Sequence, residues 1–486
     1  MPSLSNPDAQ KADVSGKQEN YLVSLEHYGL HHLQQPSTEQ KLTPLDMNMP
    51  RLYGIRLILC YPLASSVDKL QIYEHLKEGL AHTIVSIPWI TGIIGPENGQ
   101  DPKLRKVQIV SSPSGLAFPY KDLTETLPSY EELKERAFPL SEFSTAHLGP
   151  IDVMPHGDHQ PVFAAQANFV NGGLLLAVGV HHSACDASAL EAIISTWSEN
   201  TAVVSGSSHG FSRFDVPSND RSPLMQGELA SGTDIGAFPE YVLRPTPHSP
   251  HGDFGGMPSF EMPPLSSHLF HFSPEALAKL KEDAMAFSSH DALCAFIWQR
   301  MTLARMRSRV FSDPPSEAET TRFGFAVNIR SRVSPPLPPS YMGNGSMACV
   351  TRRMEVASLA SSDGLRQAAA AMRRSLNEFN SPSRITSTIG LLTSRPDPTD
   401  FKLDFHAFLG PDVVESSWAD LNPYRLRWGG AIGSLDAVRM PGEGADGSVM
   451  IMPRLKDGSL DVIVSLSTAA MDKLLDDKEF TAVVQS

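Results

Sequence analysis

The chain has 486 residues, 41% hydrophobic and 19% charged, the balance of a folded globular protein and not of a disordered one. Its formal net charge of −14 speaks against nucleic acid or an anionic membrane surface as partner. That length exceeds one ordinary hydrophobic core, so two or three domains are expected.

Residues 1–20 read as a polar tail without the basic start and apolar run of a signal peptide. A strand over residues 51–61 leads into a helix over about 67–81, with Leu70, Tyr73, Leu76 and Leu80 on one face. Short strands are expected at Ile93-Ile94 and over 107–110, and a short helix over 129–137. A strand over 162–170 then pairs with the next one through Asn171-Gly172, the pair that best supplies two positive-φ residues to a tight hairpin. The stretch 170–197 (VNGGLLLAVGVHHSACDASALEAIISTW) holds the centre of interest. Its apolar residues 174–180 read as a buried strand, and a helix follows with Leu190, Ile193, Ile194 and Trp197 at helical spacing. Ser188 and Glu191 have the spacing of a capping box.

Residues 202–267 are rich in Ser, Gly and Pro with no sustained period, and read as a crossover between two domains. Ser273-Pro274-Glu275 opens a helix as an N-cap with proline behind it. A second helix begins near His290-Asp291, with Leu293, Phe296, Ile297 and Met301 on one face. It closes on Arg300, Arg305 and Arg307, cations that suit a helix C-terminus. A strand over 323–329 runs into Arg330, a stiff segment over 335–339, and Tyr341-Met342-Gly343-Asn344. A helix over 365–379 follows; strands at 450–452 and 460–466 flank Asp457-Gly458, and a helix with Met471, Leu474 and Leu475 ends the pattern. Alternating strands and helices in each half indicate an α/β fold. The division is a first lobe over 21–201, a crossover over 202–267 and a second lobe over 268–486.

The chemistry gathers at His182 and Asp186, an H-x-x-x-D pair on the turn between a buried strand and a helix. Of seventeen histidines only His182 has an aspartate four residues later, and a general base is well placed there. The plainer reading is a histidine satisfied by hydrogen bonds at a strand end. His181 faces the opposite side of an extended strand and reads as a packing residue. Gly206-Ser207-Ser208-His209-Gly210 imitates a serine-hydrolase elbow but has linker on both sides. Cys185 reads as a small buried thiol, and the His156–His159 pair as a surface loop. The four cysteines (Cys60, Cys185, Cys294, Cys349) lack C-x-x-C spacing, which points to reduced cytosolic thiols and away from disulfides or a zinc site. No run reaches the apolar length of a spanning helix and no retention signal ends the chain, so a cytoplasmic location is expected.

Four stretches carry a family resemblance when taken in this order: GVHHSACDA (179–187), SSHDALCAFIW (288–298), VNIRSRVSPPLPPSYMGN (327–344) and ESSWADLNPYRLRWGGAIG (415–433). With them the chain resembles the BAHD acyltransferases, most of all the fungal branch that includes trichothecene acetyltransferases. The resemblance implies two chloramphenicol-acetyltransferase-like α/β lobes with a central tunnel and a long crossover. It implies an acyl-CoA co-substrate, acetyl-CoA foremost, with no permanently bound cofactor and no metal. A small-molecule acceptor, a hydroxyl before an amine on a secondary metabolite, would enter from the other face of a monomer. His182 matches the catalytic histidine, and Asp186 the aspartate that pairs with an arginine, here Arg330. Ser289, Ser416, Ser417, Trp428 and Gly429 match donor-side segments, while Arg330, Asn344 and Arg427 match supporting positions. Two departures stand out. The usual D-F-G-W-G loop is Arg427-Trp428-Gly429-Gly430-Ala431, and the V-D-x-R aspartate is Asn328. (Asp253-Phe254-Gly255-Gly256 imitates the loop from within the crossover.) The altered loop leaves open a carrier-protein-bound acyl donor, or a cyclisation or release reaction, with the same fold and histidine. A degenerate, non-catalytic relative is the third reading.

Overall fold

Strands buried along their whole length must be covered on both faces, and such strands, Gly173–Val180 in the first half and residues 460–466 in the second, shape both halves of the chain. The computed structural model describes residues 21–33, 37–99, 104–112, 115–154, 157, 160–244, 263–308, 319–442 and 444–484. The His156–His159 pair and Asp253 to Gly256 lie outside the described residues, apart from Gly157.

The first half supplies helix α1 (Pro44–Asn48), strand β1 (Ile55–Pro62), helix α2 (Lys69–Ser86), strands β2 (Tyr120–Asp122), β3 (Phe163–Val170) and β4 (Gly173–Val180), and helix α3 (Ala187–Val204). The second half supplies β5 (Leu265–Phe272), α4 (Pro274–Asp283), α5 (Ser289–Arg307), β6 (Phe323–Asn328), β7 (Ser346–Val350), α6 (Gly364–Phe379), α7 (Pro382–Thr393), β8 (Val413–Ser417), β9 (Ala437–Arg439), β10 (Ser448–Ile451), β11 (Leu460–Ser467) and α8 (Thr468–Leu475). One sheet has the order β9-β1-β4-β3-β2 and the other β5-β11-β10-β8-β6-β7. Both are mixed: β2 runs parallel to β3, and β8 runs parallel to β6 and β10. Strand β9 comes from the second half but pairs with β1, Val438 opposite Leu59, so the halves are interlocked through one sheet.

Every residue of β3 and β4 is buried. One face of their sheet packs on Leu76, Leu80, Leu190 and Trp197 of α2 and α3, and the other on Tyr130, Leu133 and Phe143. The second sheet packs on α5, α8 and their neighbours around Phe296, Trp298, Met301 and Met471. Among the described residues, no helix is long and apolar enough to cross a membrane.

Several details depart from the sequence reading. In the β3–β4 hairpin only Gly172 takes a positive φ, +73°, so the turn needs the left-handed conformation at its second position alone and Asn171 stays outside it. Helix α3 starts one residue after Asp186, whose side chain caps it by accepting from Ala189 N, so Ser188 lies inside the helix and is no cap. Helix α5 is not one-faced: Asp291–Met301 is buried all round, because sheet, α4, α6 and α8 enclose it. Arg305 accordingly does more than complement a helix dipole. It is 1% exposed, pairs with Asp446 at 2.9 Å and donates to the Asp412 carbonyl at 2.7 Å. Helix α7 carries no expectation from the sequence reading. The segment between the lobes carries elements of its own: α3 runs on to Val204, a short helix spans Val216–Asn219, and Tyr241–Leu243 pairs with Phe401–Leu403.

Arg305→Ala leaves Asp446 buried without its countercharge, and the stability measured by chemical denaturation is expected to fall by about 3–5 kcal/mol.

Candidate active site

The residue sequence around His182 forces a break in the strand. Strand β4 ends at Val180, the chain turns through His181–Cys185, and Asp186 opens α3 as its cap. The two histidines then meet different surroundings. His181 is fully buried, accepts from Ser183 N through Nδ1 and stands edge-on to Tyr53 at 5.1 Å. Burial pushes its pKa down to about 3, so it is a neutral packing residue. His182 stays half-buried. Its backbone is clamped at both ends: its N–H donates to the Leu52 carbonyl at 2.9 Å, and its carbonyl accepts from Asn344 Nδ2 at 2.9 Å. Its Nδ1 is enclosed without a hydrogen-bond partner among the described residues. Burial lowers the His182 pKa, only partly opposed by its own carbonyl, the Asp186 charge and the Asn344 amide, so the imidazole is neutral at neutral pH.

Asp186 does not reach His182. Both its oxygens are spent on other donors: Arg330 bonds it in a two-pronged pair at 2.9 and 2.8 Å, Gly345 N donates at 2.8 Å, and Ala189 N at 3.0 Å. Arg330 is 4% exposed and also donates to the Tyr341 and Gly343 carbonyls. Against the cost of burial, the Asp186 charge holds the guanidinium above its usual pKa. Gly345 has to be glycine, since a Cβ there would sit 2.6 Å from Arg330 Nη1. Arg330 and Asn344 both belong to the β6–β7 connection, so the second half of the chain braces the turn of the first.

A second buried pair lies beneath this one, and sequence reasoning missed it. Asp46 on α1 accepts from the Asn344 backbone and side chain at 2.9 and 2.8 Å. Its other oxygen takes Arg221 Nη1 at 2.7 Å. Arg221 also donates to the Ala184 carbonyl at 2.8 Å, inside the His182 turn. The one usable signal was Thr43-Pro44-Leu45-Asp46, a capping box that forms with both of its hydrogen bonds. Nothing near Arg221 marked it within a Ser/Pro-rich segment.

The remaining candidates lie apart from this cluster. Ser289 is the first residue of α5, and Ser416 and Ser417 end β8, all half-buried. Trp428 is buried at 2% exposure, donates to the Tyr61 hydroxyl at 2.7 Å and stands edge-on to Trp197 at 5.2 Å. Gly429 has φ +107°, and a Cβ there would meet Ser205 Oγ at 2.0 Å, so this pair seats its loop on the end of α3. Arg427 is exposed and hydrogen-bonds only the Tyr424 and Leu426 carbonyls among the described residues. Cys185 is fully buried, and burial pushes its thiol up, away from the reactive thiolate.

The Transferase family description matches residues 32–481. The chain is 29% identical to Acyltransferase BOA11 of Botryotinia fuckeliana over 90% of its own length and 96% of that protein. It is 26% identical to Trichothecene 3-O-acetyltransferase TRI101 of Fusarium sporotrichioides, over 88% of this chain and 92% of that one. The crystal structure of that Fusarium enzyme with coenzyme A and T-2 superposes with a TM-score of 0.75 at 23% identity, covering 92% of this chain and 99% of that one. The likeness is one of fold: two α/β lobes of the BAHD type, with no closed barrel.

Arg330→Lys keeps the charge but loses the two-pronged bond and the carbonyl contacts. Thermal or denaturant unfolding is expected to show a loss of about 1.5–3 kcal/mol, the worth of hydrogen bonds to charged groups.

Proposed function

The chain belongs to the Transferase family, the BAHD acyltransferases, and from that membership we propose that it moves an acyl group from acyl-CoA to a hydroxyl of a small secondary metabolite. The observation that carries this reading is His182: a half-buried imidazole, kept neutral by burial, on a turn fixed from both halves of the chain.

In this reading the accessible edge of the His182 ring faces the acceptor and takes its hydroxyl proton as the oxygen attacks the thioester carbonyl. The tetrahedral intermediate collapses, the carbon–sulfur bond breaks, and the imidazolium returns the proton to the departing CoA thiolate. An ester and free CoA result, with no acyl-enzyme and no cofactor in the accounting. Asp186 and Arg330 are positioning residues: they fix the turn, and Asn344 fixes the His182 carbonyl. Ser289, Ser416 and Ser417 line the donor side, with acetyl-CoA as the first donor to test. Trp428 and Gly429 support that side by anchoring their loop. Relatives bearing acetyltransferase names, one of them solved with coenzyme A and T-2, support the donor and the small-molecule class of acceptor. Residues 21–201 and 268–486 serve as the two lobes and 202–267 as the crossover, in a cytoplasmic monomer.

His182→Ala is expected to lower release of free CoA from acetyl-CoA and acceptor by about 10²–10⁴-fold, the usual worth of a general base, with the melting temperature unchanged. In the wild type, kcat/KM should be flat from neutral pH upward and fall only as the pH drops below about 6.5, the ordinary histidine value. The base acts in its neutral form and its pKa is depressed, so the loss lies on the acid side. Retained activity in the variant, or an acid limb above neutrality, would overturn the assignment.

A further inference from the structure

We infer that His290, Cys294 and Glu415 form a zinc-binding site between helix α5 and strand β8, a role outside the acyl-transfer chemistry proposed above. His290 and Cys294 stand four residues apart near the start of α5, and so share one face of the helix. Cys294 Sγ lies 3.7 Å from Nε2 of His290 and 3.9 Å from Nδ1. Glu415, the central residue of β8, brings its carboxylate to the same spot, and one ligand atom from each of the three lies within 4.8 Å of the others.

The second observation is the state of that carboxylate. Glu415 is 2% exposed, and both its oxygens are buried without a hydrogen-bond partner among the described residues. By contrast, Asp46 takes Asn344 and Arg221, Asp186 takes four donors, Asp412 takes Arg322 N and His406 N, and Asp446 takes Arg305, Leu409 N and Ser467 N. Two carboxylate oxygens with no donor carry a desolvation cost that a cation would remove.

The donor set selects the cation. One thiolate, one imidazole and one carboxylate form a mixed S/N/O set of the kind that borderline zinc takes, whereas calcium and magnesium prefer oxygen alone. Zinc bonds of about 2.0–2.3 Å hold tetrahedral ligand atoms about 3.3–3.8 Å apart. The present spread therefore has to contract by about 1 Å at its widest pair. No side-chain hydrogen bond has to break for that contraction, since the described hydrogen bonds give the His290 and Cys294 side chains only each other and give the Glu415 carboxylate none. His290 is half-buried and offers the path from solvent, and three protein ligands leave a fourth position for water. Ser289 precedes one ligand and Ser416 follows another, so the metal would clamp the two segments assigned to the donor side. That consequence rests on the proposed function; the site itself does not.

The test uses full-length, untagged protein, dialysed free of metal and titrated with Zn²⁺ and, separately, Co²⁺. One equivalent of zinc per chain is expected by elemental analysis, with a higher melting temperature in zinc. Cobalt should give a thiolate-to-metal charge-transfer band. Cys294→Ser should abolish that band, and Glu415→Gln, which keeps the side-chain volume, should weaken zinc binding by at least about tenfold, the loss that even outer-shell changes produce. Should Glu415→Gln fail to fold, the cobalt spectrum of Cys294→Ser decides alone. His182→Ala should bind zinc as the wild type does, which separates this site from the catalytic reading. Absence of a zinc equivalent in the folded wild type, or unchanged binding in both ligand variants, overturns the site and leaves Glu415 as a protonated carboxyl.

Discussion

Two opposite charges, one from each half of the chain, are buried together, and the arrangement of the site follows from them. Asp186 caps α3 and Arg330 follows β6, yet they meet at 2.8 Å with both side chains nearly sealed from water. Taking such a pair out of water costs several kcal/mol per ion unless every remaining donor and acceptor is answered. Here they are answered by Ala189 and Gly345 on one side and by the Tyr341 and Gly343 carbonyls on the other. Breaking the pair leaves a buried charge uncompensated, and losing one of the supporting bonds leaves a buried polar group unanswered, which favours this one arrangement of the turn. Beneath it, Asp46 and Arg221 repeat the device, and Asn344 joins the two by bonding both Asp46 and the His182 carbonyl.

This bracing separates two adjacent histidines into different roles. His181 points into the core against Tyr53, where burial holds it neutral at any physiological pH. His182 keeps part of its ring accessible while its backbone is fixed at both N–H and C=O. Because Asp186 spends both oxygens elsewhere, it acts on His182 through the shape of the turn and a distant charge, not through a hydrogen bond. An aspartate that charged the imidazole would make a poorer base; one that orients the turn does not. The interlocking strand β9 works in the same direction, since the halves cannot part without breaking the first sheet.

Much of this was legible in the sequence wherever a short-range pattern had a single physical solution. An unbroken apolar run gave β4, its pairing across Asn171-Gly172 gave β3, proline behind Ser273 gave the start of α4, and the H-x-x-x-D spacing gave the turn. The Asp186–Arg330 pair came from the family resemblance, not from spacing. Failures came where two local rules competed. Ser188 and Glu191 have capping spacing, but Asp186 starts the helix earlier because its own carboxylate accepts from Ala189 N. Helix α5 looked one-sided because periodicity cannot report a helix enclosed by sheet and helices together. Arg221 and Glu415 were invisible for a different reason: each owes its meaning to a partner far along the chain, and no local signal marks such a partner; the capping box marks Asp46 as the start of a helix but not as the partner of Arg221.

The central claim is that His182 is a neutral imidazole at working pH, held so by its surroundings. The direct measurement is a titration of the His182 ring by NMR in protein carrying labelled histidine, with the resonance assigned by loss in His182→Gln. The account predicts a midpoint below the ordinary value of about 6.5 and a neutral ring throughout the range of activity. A midpoint at or above that value, with the ring charged at neutral pH, would contradict it.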